Sequence, residues 1–144
     1  MKKLMLFISI IIFSVSIFAH GPTPQKVQES ITVGISPSKA YAALKDFSAF
    51  EKFMKTRSSD DDLMKVKYAL LKEDGPFTDY NAYIIVKKGS NDNESVIQWT
   101  ARFYRTYKLN PPIPEGQDDA TAKAAVQAIV EKGLKDLKNS LSSN

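Results

Sequence analysis

The sequence predicts an α+β fold in which an antiparallel sheet wraps on one long C-terminal helix. Three observations support this class. Apolar and polar residues alternate in several short segments, as they do in half-buried strands. Prolines end the last of these segments, because they cannot donate hydrogen bonds to a sheet. A final segment then carries apolar residues at steps of three and four, the pattern of a helix that lies across a sheet.

The first strand is predicted from Val27 to Ile35, where apolar residues alternate with Gln28, Ser30 and Thr32. Ser36 and Pro37 follow as the N-cap and the first position of a helix. The apolar face of this helix comprises Ala40, Tyr41, Leu44 and Phe47. A second short helical turn is predicted from Ala49 to Lys55, and the polar residues 56–62 are predicted to form a loop.

Three more strands are predicted in a meander: from Met64 to Leu70, from Tyr80 to Lys88, and within Glu94 to Leu109. In the last of them one side is apolar and aromatic, with Ile97, Trp99, Ala101, Phe103 and Tyr107. The predicted sheet therefore has about four strands.

The long helix begins after Pro111, Pro112 and Pro114, with Asp118 or Asp119 as its cap. Its apolar stripe contains Ala122, Val126, Ile129, Gly133 and Leu137, broadened by Ala125, Val130, Leu134 and Leu141. One face of this helix is expected to pack on the sheet and the other to face water.

The first 19 residues have the pattern of a cleavable secretory signal peptide. Lys2 and Lys3 precede an apolar run from Leu4 to Ala19, which is shorter than the ~20 residues that span a bilayer. Cleavage after Ala19 would leave residues 20–144 as a single domain. An uncleaved leader that anchors the protein in a membrane is the alternative. With no cysteine in the chain, the exported fold would be stabilised by its core without disulfides.

The charge pattern argues against a nucleic-acid partner. The formal net charge is +4, but two of the lysines belong to the predicted leader. No basic cluster is longer than a Lys-Lys pair, and acidic residues are interspersed.

No catalytic residue, metal site or cofactor is predicted. His20 is the single histidine, which excludes a histidine-containing triad or a multi-histidine metal site within one chain. If cleavage exposed His20, its amine and imidazole could chelate copper, but a flexible terminus is the plainer interpretation. Asp60, Asp61 and Asp62 could suggest a calcium loop, yet they lack its alternating spacing and central glycine, so a solvated loop is favoured. An enzyme would have to use Asp, Glu, Lys or Tyr chemistry.

Aromatic and aliphatic side chains are the candidates for a ligand-binding pocket between the sheet and the closing helix, where such folds leave concave apolar space. The candidates are Phe47, Phe50, Phe53, Tyr68, Trp99, Phe103, Val126, Ile129 and Val130. The alternative is that the same residues pack as a core, because aromatic side chains commonly dominate core burial.

Three blocks of sequence resemble the polyketide cyclase/START-like superfamily, which has the helix-grip fold. They are HGPTPQKVQESI from His20 to Ile31, SPSKAYAALKDF from Ser36 to Phe47, and the segment from Gln98 to Lys138 with RFYRTY, NPP and DD. Within the superfamily the chain is similar to exported accessory proteins of methanol oxidation, the MxaD type. The helix-grip fold places a hairpin where this chain has only residues 56–62, so the resemblance implies a sheet shortened from seven strands.

The resemblance implies a periplasmic, non-enzymatic protein whose partners are methanol dehydrogenase and the cytochrome c that accepts its electrons. A carrier of a small hydrophobic ligand, held between the Trp99 strand and the final helix, is the second hypothesis. A cyclase-like enzyme is the third, and no acid-base pair in the sequence supports it.

Overall fold

The computed structural model describes residues 21–143, so the predicted leader, its cleavage site and His20 lie outside the described residues. The elements in chain order are β1 (Gln25–Val33), α1 (Pro37–Lys45), a short 3-10 helix (Phe50–Lys52), β2 (Met54–Asp60), β3 (Lys65–Leu70), β4 (Phe77–Lys88), β5 (Ser95–Arg105) and α2 (Asp119–Ser142). The α+β class predicted from the sequence is confirmed.

The strands form one antiparallel sheet in the order β1-β5-β4-β3-β2. Successive strands from β2 to β5 are neighbours, as in the predicted meander. The first strand, β1, pairs with the last, β5, and forms one edge of the sheet. Val27 lies opposite Ala101, and Ile31 lies opposite Ile97. β5, whose alternation was the clearest strand pattern in the sequence, is therefore an interior strand between β1 and β4.

The sheet has five strands in the described chain, not about four. The prediction of a loop at residues 56–62 was wrong, because most of this segment belongs to β2 and pairs with β3. The predicted helical turn is also shorter, a 3-10 helix that ends before Met54. Six of the seven β2 residues are exposed, and a bulge lies between Thr56 and Ser58. Polar side chains and bulges are typical of an edge strand that resists pairing with other chains.

Both helices pack against the same face of the sheet, which we call the inner face; the opposite side is the outer face. The inner face of β5 is fully buried, with Ile97, Trp99 and Ala101 at 0% exposure. From α2 the core receives Ala122, Val126, Val130, Gly133, Leu134 and Leu137. These positions agree with the apolar stripe predicted from the sequence.

Two polar residues fix where α2 begins. Asp118 is the N-cap, and its side chain accepts a hydrogen bond from the backbone N–H of Thr121 at 2.7 Å. Arg105, at the end of β5, is 4% exposed and forms an ion pair with Asp119 at 3.1 Å. Its guanidinium also donates to the carbonyl oxygens of Tyr107 and Leu109. One arginine therefore connects the sheet, the start of the proline-containing crossing and the start of the helix.

Within residues 21–143, none of the helices combines the length and the apolar character needed to span a bilayer.

Candidate functional site

A glycine lets α2 lie close to β5. A Cβ atom at Gly133 would lie 2.5 Å from Cζ3 of Trp99, well inside van der Waals contact. The indole of Trp99 is 0% exposed, and its Nε1–H donates to the hydroxyl of Tyr80 at 3.1 Å. Because the hydroxyl of Tyr80 binds the indole and the backbone of Gly133 packs against it, the position of α2 over β5 is closely defined.

Phe50 joins the short helix to this contact. Its ring lies edge-on to Trp99 with centroids 5.3 Å apart, and edge-on to Phe47, Phe53 and Tyr68 at 4.7, 5.9 and 5.9 Å. Edge-to-face geometry at these distances is favourable for aromatic pairs. Four of the residues predicted from the sequence as pocket candidates thus meet around the fifth, Phe50.

The nine pocket candidates divide into two groups by burial. Phe50, Tyr68, Trp99, Phe103, Val126 and Val130 are at most 4% exposed and belong to the core. Phe47, Phe53 and Ile129 are partly exposed and pack at its margin. Six of the nine candidates therefore belong to the core, and three lie at its margin, where a pocket could include them.

Phe53 and Ile129 line an open cavity of about 280 Å³ between α2 and the adjoining ends of β3 and β4. Leu70, Phe77 and Gly133 complete its apolar wall. This volume is near the lower limit of about 300 Å³ for small-molecule sites. The cavity lies where the predicted pocket was placed, between the sheet and the closing helix.

Two ion pairs form the rim of this cavity. Lys72 contacts Asp74 at 2.9 Å on the sheet side, and Lys132 contacts Asp136 at 2.6 Å on α2. The hydrogen bond from Lys72 lowers the pKa of Asp74, and the same bond raises the pKa of Lys72. All four side chains are substantially exposed, so these pairs contribute little to stability. They do give an apolar cavity a charged entrance.

A second cavity, of about 370 Å³, opens between α1, the short helix and β2. Phe47, Phe50 and Tyr68 line it together with polar residues such as Glu51 and Thr56. Its walls are more polar than those of the first cavity. Trp99, Phe103, Val126 and Val130 border neither of these two cavities, and their role in ligand binding stays a prediction.

Several residues of the first cavity were missed from the sequence: Leu70, Lys72, Asp74, Phe77, Lys132, Gly133 and Asp136. The i,i+4 spacing of Lys132 and Asp136 indicates a helical ion pair, but nothing in the local sequence links it to Lys72. About sixty residues of chain separate the two pairs, and only the packing of α2 on the sheet brings them to one cavity.

The acidic residues near the β2–β3 turn act as turn and pairing groups. Asp60 accepts a hydrogen bond from the backbone N–H of Leu63 at 3.0 Å. Asp61 accepts from the hydroxyl of Tyr41 at 2.8 Å and from Lys45 at 3.1 Å. Across residues 21–143 there is no group of three or more His, Cys, Asp or Glu side chains that could hold a metal ion.

Comparison with known proteins gives no match to any family model and none to any curated protein. Solved structures do match. An uncharacterized protein from Bacillus thuringiensis superposes with a TM-score of 0.64 at 17% identity, over 81% of this chain and 98% of that one. The Zhui aromatase/cyclase from Streptomyces sp. R1128 has a TM-score of 0.57 at 10% identity, over 83% of this chain and 94% of the enzyme.

Ara h 8.0201 matches with a TM-score of 0.58 at 12% identity, over 85% of this chain and all of that one. At such identities the likeness concerns the fold alone. These neighbours include an aromatase/cyclase as well as proteins that are not described as enzymes. The antiparallel sheet closed by a long C-terminal helix is therefore the polyketide cyclase/START-like fold.

Proposed function

We propose that this protein binds a small, mainly apolar ligand in the cavity between α2 and the ends of β3 and β4. The observation that carries the proposal is the combination of an apolar wall with an ion-paired rim. Phe53, Phe77 and Ile129 offer apolar contact, while Lys72 and Lys132 can meet an anionic or polar end of the ligand. Ligand sites commonly pair a largely apolar lining with a few placed polar groups.

We further propose that the protein is a carrier and not an enzyme. The titratable groups at this cavity are two lysine-aspartate pairs. An aspartate is ionised at neutral pH, and the hydrogen bond from Lys72 lowers the pKa of Asp74 further, which makes it a poor general acid and a weak general base. No histidine is present in residues 21–143 to take either role. A cyclase-like activity, as in the enzymes that share the fold, would need another proton-transfer group.

A dye-binding experiment tests the ligand site. Anilinonaphthalene sulfonate has an apolar ring system and one anionic group, so it should bind saturably with a rise in fluorescence. The change Ile129→Trp fills the cavity and should weaken dye binding by about tenfold, roughly 1.4 kcal/mol. Ala128→Trp places the same side chain on the exposed side of α2 and should leave binding unchanged.

Equal effects of the two tryptophans would count against this cavity as the site. Native mass spectrometry of the purified protein gives an independent measurement. Absence of any retained small molecule, together with no saturable dye binding, would refute the carrier proposal.

A second proposal comes from the sequence resemblance. We infer that the chain is exported to the periplasm by its leader and assists methanol dehydrogenase in passing electrons to its cytochrome c. The supporting observation is the set of three sequence blocks that resemble the MxaD type, beginning with HGPTP at residues 20–24. Deletion of the gene should slow electron transfer from the dehydrogenase, and the protein should co-purify with it. Unchanged transfer in the deletion strain would contradict the proposal, and N-terminal sequencing of the exported protein would test cleavage after Ala19.

A further inference from the structure

Cationic side chains collect on the outer face of the sheet, away from the proposed ligand cavity. Each of the five strands contributes at least one cation at an outward position, and Arg57 lies at the bulge of β2. The residues are Lys26, Lys55, Arg57, Lys65, Lys67, Lys87 and Arg102. The strand register makes neighbours of residues that are far apart in sequence. Lys26 lies opposite Arg102, and Arg102 lies opposite Asn81 on the next strand.

Few carboxylates balance these charges. Asp60 lies opposite Lys65 at one end of the face. Asp79, at the bulge of β4, already forms an ion pair with Lys108 at 2.9 Å. Since Lys108 and Asp79 cancel, the seven cations and Asp60 leave this face with a formal charge of +6.

The rest of the molecule has the opposite sign. Residues 21–143 contain 18 of the 20 Lys and Arg residues and all 16 Asp and Glu residues, which gives a formal charge of +2. The surfaces other than the outer face therefore carry −4 in total. A charge separation of this kind orients an approaching charged partner toward one face.

A groove of about 340 Å³ runs across the middle of the outer face. It lies beside two irregularities of the sheet, between Thr56 and Ser58 in β2 and between Thr78 and Asn81 in β4. Its polar lining is rich in hydrogen-bond donors: Arg57, Lys67, Asn81, Tyr83, Thr100 and Arg102. Guanidinium groups bind carboxylates with two parallel hydrogen bonds, so this lining suits acidic side chains.

Tyr83 lies among these cations. A hydrogen bond with Thr100 lowers the pKa of its hydroxyl, and the charges of Lys65, Lys26 and Arg102 lower it further.

We propose that the outer face of the sheet binds an acidic surface of a partner protein, with carboxylates against Arg57, Lys67 and Arg102. The positive charge extends well beyond the groove, which favours a macromolecular surface over a small anion. The aromatic rings on this face are covered by the protein's own lysines: Lys65 lies 4.3 Å from the ring centroid of Tyr83, and Lys108 lies 4.9 Å from that of Tyr104. Neither ring is free to stack on a nucleic-acid base, which favours carboxylates over single-stranded nucleic acid. The proposal does not depend on ligand binding at the inner face.

The test measures binding of the protein to immobilised poly-L-glutamate, with a poly-dT oligonucleotide and phosphatidylglycerol vesicles as competing probes. Affinity for poly-L-glutamate should fall by about tenfold or more between about 50 and 300 mM salt, because screened charges contribute less. The triple variant Arg57→Gln/Lys67→Gln/Arg102→Gln should weaken binding by about tenfold or more. A matched control removes three exposed cations elsewhere, Lys39→Gln/Lys123→Gln/Lys138→Gln, and should retain most of the affinity.

Equal losses in the two triple variants would overturn the proposal, since net charge alone would then explain binding. Tighter binding to the oligonucleotide or to the vesicles than to poly-L-glutamate would overturn the assignment of a protein partner, and so would the absence of binding at low salt. Amide chemical-shift mapping on the unaltered protein keeps the test independent of how the variants fold. The shifts caused by poly-L-glutamate should cluster on β2 to β5 around the groove, and shifts centred on α2 would refute the outer face as the binding surface.

Discussion

Replacing Gly133 by alanine should destabilise the protein, although alanine is the better helix former. The added methyl group would lie 2.5 Å from Cζ3 and 3.0 Å from Cη2 of Trp99. The indole cannot turn away easily, because Tyr80 accepts its N–H hydrogen bond and Phe50 packs on it edge-on. The structure therefore predicts that α2 must move away from β5 to admit the methyl group.

The expected magnitude is a difference of two effects. Alanine is better than glycine in a helix interior by about 1 kcal/mol. Overpacking a well-filled core costs about 1–3 kcal/mol, and the rigid indole argues for the upper end of that range. The free energy of unfolding should therefore fall by about 2 kcal/mol, which for a chain of this size corresponds to roughly 6–10 °C in Tm.

Urea unfolding followed by circular dichroism measures this change. Ala128→Gly, at an exposed position of the same helix, calibrates the helix-propensity effect and should cost about 1 kcal/mol. A double-mutant cycle with Trp99→Phe isolates the steric effect, because the smaller ring leaves room for the methyl group. In that background Gly133→Ala should be neutral or stabilising by up to about 1 kcal/mol, which gives a coupling energy of about 2–3 kcal/mol.

A Gly133→Ala variant at least as stable as the unaltered protein would refute this reasoning. It would mean that Trp99 does not contact the α2 backbone. An equal loss in both backgrounds would also contradict it, since the cost would then not arise from the indole.

Three further predictions concern polar groups. Arg105→Met should lower the free energy of unfolding by roughly 3 kcal/mol in urea titrations, because it leaves Asp119 and two carbonyl oxygens without their partner. A loss below about 1 kcal/mol would mean that Arg105 does not stabilise the contact between β5 and α2. The hydrogen bonds from Thr121 lower the pKa of Asp118, so its stabilising effect is present above about pH 4 and is lost as pH falls through its folded pKa. Asp118→Asn should remove that pH dependence of Tm while keeping a cap, and a parallel acid profile in the variant would contradict the assignment. The pKa of Tyr83 is lowered, whereas burial raises the pKa of Tyr41 to about 12. Alkaline ultraviolet titration should therefore lose its earliest tyrosine phase in Tyr83→Phe, and an unchanged first phase would refute the influence of Thr100 and the cations.

The parts of the fold that could be predicted have strong short-range patterns. The alternation of Ile97, Trp99 and Ala101 identifies the interior strand β5, because one face of that strand is apolar and the other is polar. The caps, prolines and apolar stripe define α2 in the same way. The edge strand β2 has no such pattern, since only Met54 among its seven residues is buried. Its hydrogen bonds to β3 make it a strand, but its side chains show no alternation of apolar and polar residues that would indicate this pairing.

The sequence predicted a cavity between the sheet and α2, and the structure has one there; most of its lining residues were not predicted, and its role in ligand binding stays a prediction. Phe53 and Ile129 were named from their spacing, yet the same spacing also named Trp99 and Val130, which lie in the core. Whether an aromatic residue fills the core or borders a cavity depends on how closely the helix approaches the sheet. That distance depends on Gly133, whose significance appears only when Trp99 is opposite it.

The amino-acid sequence by itself determined the α+β class, the interior strand β5 and the capped closing helix, because each depends on residues that are near one another in the chain. Its composition alone excluded cysteine chemistry. The tertiary structure alone decided the fifth strand, the ion-paired rim of the cavity and the cationic outer face. All three depend on contacts between separate strands or between the sheet and α2. Strand register and helix packing set these distances, and no local pattern encodes them.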